Sequence, residues 1–193
     1  MAIKIKYKKI SKSKGRNFCD ELWSLLVKIR DGKVCCICKA TEYNQSHHLL
    51  SRRILSTRWD VKNGITVCPN CHEYSLTLSF HTSPWATETW VKENRPEQYA
   101  EWVKNRENFT VGDEVDYEQK YLELEEQHKQ MTGAYYKIER LAQYLLAKNI
   151  DLIKTRIKEN KKTTEIIQEL NFPKLSEKTL KDFITANKKY FET

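Results

Sequence analysis

Residues 35–72 read CCICKATEYNQSHHLLSRRILSTRWDVKNGITVCPNCH, in which two Cys-x-x-Cys pairs, Cys35/Cys38 and Cys68/Cys71, enclose the adjacent histidines His47 and His48 and the asparagine Asn63. His72 follows the last cysteine directly. A Cys-x-x-Cys turn lets two soft, charged thiolates reach one ion, and a second pair completes a tetrahedral structural Zn2+ site. A redox dithiol is the competing reading, but two equivalent pairs without a thioredoxin-like context favour zinc. Four thiolates saturate that ion, so the histidines and the asparagine have other work, and their placement suits a second, open metal centre. Cys36, inside the first pair, offers an alternative ligand, and Cys19 reads as a packing thiol on a helix face.

The chain has 193 residues, 39% hydrophobic and 11% aromatic, which is enough for one core plus a small appendage and is not the composition of a disordered chain. Its formal charge of +8 is uneven: Lys4, Lys6, Lys8, Lys9, Lys12, Lys14 and Arg16 fall within residues 1–16, where no acidic residue occurs. Such an arm fits a polyanionic partner, with a solubilising tail as the plainer alternative. No apolar run approaches the ~20 residues that cross a bilayer, and no apolar signal core follows the N-terminal lysines. The reading is therefore a soluble, cytoplasmic protein with no membrane partner. Six cysteines in such a chain read as metal ligands rather than as a disulfide framework.

Working outward, Leu22, Trp23, Leu25, Leu26 and Ile29 recur at helical spacing between Phe18 and Arg30, and Asp31-Gly32 stops the pattern. Glu42 to Leu50 and Gly64 to Cys68 read as two short strands, and His72 to Leu78 as the start of a helix, so the segment forms a compact ββα unit. Trp85, Trp90, Tyr99 and Trp102 then recur on two short helices, where covering a small core is favoured over stacking on bases. After Gly112-Asp113-Glu114 the apolar seam Tyr117, Tyr121, Leu124, His128, Met131, Tyr135, Ile138, Ala142 and Leu145 predicts one amphipathic helix of roughly 45 Å. Such a helix either lies back on the preceding domain or pairs two copies through residues 117–145. Ile166, Ile167 and Leu170, the break Asn171-Phe172-Pro173-Lys174, the N-cap Ser176 and then Leu180, Phe183 and Ile184 read as helix, turn, helix. Lys178, Thr179, Lys181, Thr185 and Lys188 would face the phosphates and base edges of a major groove, or simply solvent.

Phosphodiester hydrolysis needs a base for the attacking water, a cation against the developing charge and stabilisation of the leaving oxygen. A neutral histidine can be that base, and an asparagine carboxamide can hold its other ring nitrogen in the productive tautomer. Adjacent His47 and His48 on a strand project to opposite sides. With Asn63 and His72 these residues resemble the HNH, or ββα-metal, nucleases, standing where that family has its two leading motif residues, its central asparagine and its closing histidine. The resemblance extends through Leu22-Trp23, Ile29-Arg30-Asp31-Gly32, His48-x-x-x-Arg52, Arg58-Trp59-Asp60, Asn63-Gly64-Ile65, Cys71-His72 and His81-Thr82-Ser83-Pro84, over residues 17–107, in the manner of phage-type members.

The resemblance implies that His47 and His72 coordinate a catalytic divalent metal, that His48 is the general base and that Asn63 orients it. Many members carry aspartate at the first position, and histidine there widens the choice of ion to Mg2+, Mn2+, Ni2+ or Zn2+. His81 would be an auxiliary group that completes the metal site or polarises the phosphate, or else a surface histidine. Arg52, Arg53 and Arg58 would clamp DNA phosphates, with surface ion pairing as the alternative. The expected fold is α+β, mainly α. It comprises a basic arm (1–16), a zinc-stabilised HNH nuclease domain (17–110), a long helix or linker (111–150) and a helix-turn-helix-like segment (151–193) whose Lys178 and Lys181 touch DNA. The expected activity is metal-dependent cleavage of double-stranded DNA by a phage-encoded homing or genome-processing endonuclease acting in the bacterial cytoplasm. The alternative is a non-catalytic zinc-ribbon DNA-binding protein, which leaves His47, His48, Asn63 and His72 as coincidence.

Overall fold

The computed structural model describes residues 12–107, 114–134, 136, 142, 146, 149–170 and 175–192. The basic arm up to residue 11, the boundary at 112–113, the seam residues Tyr135, Ile138 and Leu145, and the break at 171–174 lie outside them. Two compact units are present, Lys14–Ala134 and one built from the described residues after Ala134. Among the described residues the structure is mainly helical with one two-stranded antiparallel sheet.

Helix α1 (Lys12–Arg30) buries Cys19, Leu22, Trp23, Leu26 and Val27, the i, i+3, i+4, i+7, i+8 stripe of a helix with one core face. It ends where the sequence predicts: Gly32 takes the left-handed conformation at φ 70°, and Lys33 N donates to Lys28 O at 2.7 Å. Asp31, just past the helix end, is enclosed and collects Arg30 in a fork, Arg95 Nη2 at 3.0 Å and Thr66 N at 2.9 Å. One carboxylate thereby ties α1 to the sheet and to the segment after it.

Strands β1 (Gln45–His48) and β2 (Gly64–Val67) pair antiparallel, with Gln45 opposite Val67 and His48 opposite Gly64. A 3₁₀ turn, Val61–Asn63, leads into β2 and is capped by the Asp60 carboxylate accepting from Lys62 N. At Gly64 the sheet meets α1 so closely that a Cβ would fall 2.5 Å from Val27 Cγ2 and 2.7 Å from Trp23 Cζ2. Only glycine fits there, and its closeness fixes how far Trp23 stands from β1.

After β2 the structure departs from the predicted helix over 72–78. A single π-helical turn, Asn70–Tyr74, holds Cys71 and His72, and the next α-helix, α2, begins only at Pro84 and runs to Asn94. The carbonyls of Cys71 and His72, which a continuing helix would give to Ser75 and Leu76, accept instead from Phe80 N at 3.2 Å and His81 N at 3.1 Å. Helix α3 (Pro96–Glu107) follows. Trp90 packs against the cysteine cluster and Tyr99 meets Trp102 edge to face at 5.8 Å, but Trp85 is 82% exposed and covers no core.

Helix α4 (Tyr117–Thr132) is about half the predicted length, because Gly133 at φ 77° caps it in the left-handed conformation, its N–H bonded to Lys129 O. Nor does α4 stand apart as a linker. Tyr117 meets Trp59 edge to face at 5.7 Å, its side chain packs on Gly15 and its carbonyl accepts from the Cys19 thiol, while Tyr121 meets Phe18 at 6.1 Å. Tyr121 and Leu124 are thus buried within one chain.

In the second unit, α5 (Ile150–Lys158), α6 (Thr163–Leu170), α7 (Glu177–Ala186) and α8 (Lys188–Phe191) surround a core of Ala142, Leu146, Ile150, Ile153, Ile166, Leu170, Leu175, Leu180 and Phe183. Ser176 caps α7, as its sequence position predicts, accepting from Thr179 N at 3.1 Å. Lys178 and Lys181 are exposed, and Lys181 pairs with Glu177 at 3.1 Å. No helix among the described residues is long and apolar enough to cross a membrane.

Candidate metal centres

Both cysteine turns are tied to β2. Cys35 N donates to Ala40 O and Lys39 N to Cys35 O, closing the first turn, and Cys36 N donates to Thr66 O at 2.9 Å. β2 runs directly into Cys68, whose carbonyl accepts from His72 N at 2.9 Å to close the second. The thiols of Cys35, Cys38, Cys68 and Cys71 consequently lie within 4.8 Å of one another, with Cys38 and Cys68 only 3.5 Å apart. Thiolates ~2.3 Å from a tetrahedral zinc stand about 3.8 Å apart, so the set fits that ion in both softness and spacing.

The protonation energetics agree. Burial opposes ionisation of Cys35, yet backbone N–H groups around its sulfur bring it down to about 7. Burial pushes Cys38 and Cys71 up, hydrogen bonds from neighbouring thiols add to the rise at both, and the charge of Cys35 adds to it at Cys71. Cys36 is not a member of the group: its sulfur lies 2.8 Å from Arg95 Nη2, and burial beside Asp31 raises it to about 11. Cys19 is buried as a packing residue, its thiol pushed up to about 12 by burial.

The histidines divide between the faces of β1, as strand alternation requires. On one face His47 joins His72 and His81, their three nitrogens lying within 4.8 Å of one another. His72 Nε2 lies 3.0 Å from His47 Nδ1 and 3.2 Å from His81 Nε2. Nitrogens bound to one metal at 2.0–2.1 Å stand about 3 Å apart, so these three can share an ion and leave its other positions open. Gln45, two residues before His47 and on the same face, accepts from His72 Nδ1–H at 3.0 Å and so turns the Nε2 lone pair toward the cluster. Burial, reinforced by His72 and His81, depresses His47 to about 3, and burial lowers His72, so neither carries a proton at neutral pH that would block a metal. Phe80 closes over His47 with ring centroids 4.3 Å apart.

On the other face His48 lies flat on Trp23 and its Nε2 is 2.9 Å from Arg58 O. A carbonyl only accepts, so Nε2 carries the hydrogen and Nδ1 the lone pair; burial lowers the ring's pKa and keeps it neutral. The predicted contact from Asn63 to this ring is replaced by one acting through the backbone. Asn63 Oδ1 accepts from Leu50 N at 2.7 Å, and its Nδ2 donates to Leu50 O at 3.2 Å and Thr57 O at 3.1 Å. Buried Asn63 thereby pins the loop from β1 to the 3₁₀ turn, the loop that delivers the Arg58 carbonyl.

Arg58 itself is not a phosphate clamp. It is 8% exposed, forks onto Asp20 at 2.8 and 2.6 Å and donates to Arg52 O. Trp59 Nε1 completes the knot on Asp20. Arg52 and Arg53 are exposed and remain available to a polyanion. Gln45 carries no motif signal, and only its i, i+2 spacing from His47 places the two on one face; Trp23 stands within the resemblance, which gives it no role, and is found here under the His48 ring. Comparisons with protein-family models, with curated proteins and with solved structures return no match.

Proposed function

We propose that the protein is a metal-dependent DNA endonuclease of the HNH type, with the cysteines holding a structural Zn2+ and the three histidines a catalytic divalent ion. The observation that carries this reading is the division of labour across β1: a three-nitrogen cluster on one face and, one residue on, a neutral histidine of fixed tautomer on the other. When bound, the divalent ion would supply positive charge against the negative charge that builds on the scissile phosphate and on the oxygen that leaves as its P–O bond breaks. His48 accepts the proton of the attacking water at Nδ1, its only free lone pair. The resulting imidazolium is stabilised where it sits, since the Nε2–H bond to the Arg58 carbonyl becomes charge-assisted and the Trp23 face attracts a cation. Exposed Arg52 and Arg53, and Lys178 and Lys181 of the second unit, meet the DNA backbone.

The test is supercoiled plasmid incubated with the zinc-loaded chain and Mg2+ or Mn2+, beside His48→Ala. Removing a positioned general base slows hydrolysis by roughly 10²–10⁴-fold, so nicking should all but vanish in the variant while zinc content stays the same. Equal cutting by both proteins would remove His48 from the mechanism, and no cutting by either would leave a zinc-stabilised DNA-binding protein.

A further inference from the structure

Trp85, Leu76 and Tyr74 leave 82%, 83% and 69% of their surfaces to solvent, and the other large apolar side chains exposed among the described residues are Tyr43 and Met131. All three belong to the segment that carries His72 and His81. That segment crosses itself at its base, where His81 N donates to His72 O, Phe80 N to Cys71 O and the Thr82 hydroxyl to Glu73 O. Tyr74 leaves the crossing on one side, Leu76 follows it, and Trp85 emerges just beyond Thr82 and Ser83. Buried Ser79 sets the outer turn, its N–H donating to Ser83 Oγ at 2.6 Å and its hydroxyl accepting from Thr82 N at 3.0 Å. The apolar side chains are therefore held out by a hydrogen-bonded scaffold around the histidine cluster.

Large apolar side chains left exposed within four residues of the histidine cluster mark a recognition surface. Aromatic planes stack on nucleobases of any identity, but bases within a continuous duplex hide their faces against each other. The basic residues of the N-terminal arm, Lys4, Lys6, Lys8, Lys9, Lys12, Lys14 and Arg16, suit the chain to a polyanion, which favours nucleic acid over an apolar protein as the occupant. We propose that Trp85, with Tyr74 and Leu76, receives the open faces of unpaired bases, so that the histidine centre acts on DNA carrying a single-stranded or distorted stretch. The inference rests on the nuclease reading for where the cut falls, but not for the binding itself.

The experiment measures binding of the zinc-loaded full chain, without added divalent ion, to a matched duplex and to the same duplex with a central run of mismatched bases. It is repeated with His48→Ala, so that no cleavage enters the result, with zinc content as the check on folding. The unpaired probe should bind about tenfold more tightly, the scale of one stacked base. Trp85→Ala should abolish that preference, Trp85→Phe should restore most of it, and Tyr74→Ala should weaken it. Equal affinity for the two probes, binding to neither, or a preference that survives both alanine changes overturns the inference. A chain that prefers unpaired bases and never cuts upholds it and removes only the hydrolytic reading.

Discussion

The His48 imidazole and the Trp23 indole stack with centroids 3.7 Å apart and planes 11° from parallel, while Trp23 Nε1–H donates to the Asp60 carbonyl at 2.8 Å. The indole is thus fixed at its edge and presents a flat seat to the base. Trp23→Leu keeps the position apolar but removes the plane and the hydrogen bond, and its smaller side chain leaves a gap in the core that lowers stability as well. Nicking should slow on the order of tenfold to a hundredfold, in kcat more than in KM, as the ring loses its orientation. Zinc content should be unchanged, and a wild-type rate in a folded variant would show that the stack does not position His48.

Asn63 and His48 are separable by stability. Asn63→Ala strands the Leu50 N–H and the Leu50 carbonyl, while Thr57 O keeps its bond from Asp60 N, and this costs about 1–3 kcal/mol. His48→Ala removes a partly exposed ring that makes one hydrogen bond. Denaturant unfolding should place Asn63→Ala well below wild type and His48→Ala close to it, although both cut poorly. The reverse order would contradict a loop-pinning role for Asn63.

The Asp31 carboxyl is opposed by burial, but Arg30, Thr66 N–H and Arg95 overcome it and hold the group at about 2, below the ordinary 3.8. A carboxyl depressed on folding stabilises the native state fully above its unfolded value, and loses that contribution as pH falls through the folded value. The difference corresponds to about 2 kcal/mol. Asp31→Asn should therefore be less stable than wild type by about that amount at pH 6, and the gap should close between pH 3.8 and 2. A gap that widens on acidification would reverse the assigned sign.

The three arginines of the β1–β2 loop should behave differently on DNA. Arg52→Ala and Arg53→Ala should each weaken binding and flatten the dependence of log K on log salt by ~0.9 for every phosphate that is no longer neutralised. Arg58→Ala should instead leave Asp20 with Trp59 Nε1–H but no guanidinium, and the Arg52 carbonyl without its Arg58 donor, and so lower the melting temperature at every salt concentration. An unchanged melting temperature for Arg58→Ala would restore it as a surface clamp.

Local chemistry was legible in the sequence. The Cys-x-x-Cys spacing predicted the four-thiol cluster, strand alternation separated His47 from His48, and Asp31-Gly32 and Ser176 marked a helix end and a helix start. What escaped depended on partners distant in the chain. Arg58 is buried by Asp20, 38 residues away; His81, which the sequence leaves between a group of the metal site and a surface residue, comes to His72 because the π turn hands its carbonyls to a segment nine residues later. The apolar seam from Tyr117 held its period through Gly133, but a periodic pattern carries no information about a left-handed cap. Trp85 and Trp90 stand five residues apart on α2, about 140° around its axis, so one face cannot cover both, and which of them meets the cysteine cluster is decided by packing against residues distant in the chain.

Cys71 and His72 are adjacent, yet they serve different centres, and bound zinc and plasmid nicking measured on the same sample of His72→Ala test that separation most directly. His72→Ala should keep one tightly held zinc per chain and lose cleavage. Loss of the zinc together with cleavage, or cleavage at the wild-type rate, would contradict two centres with separate duties.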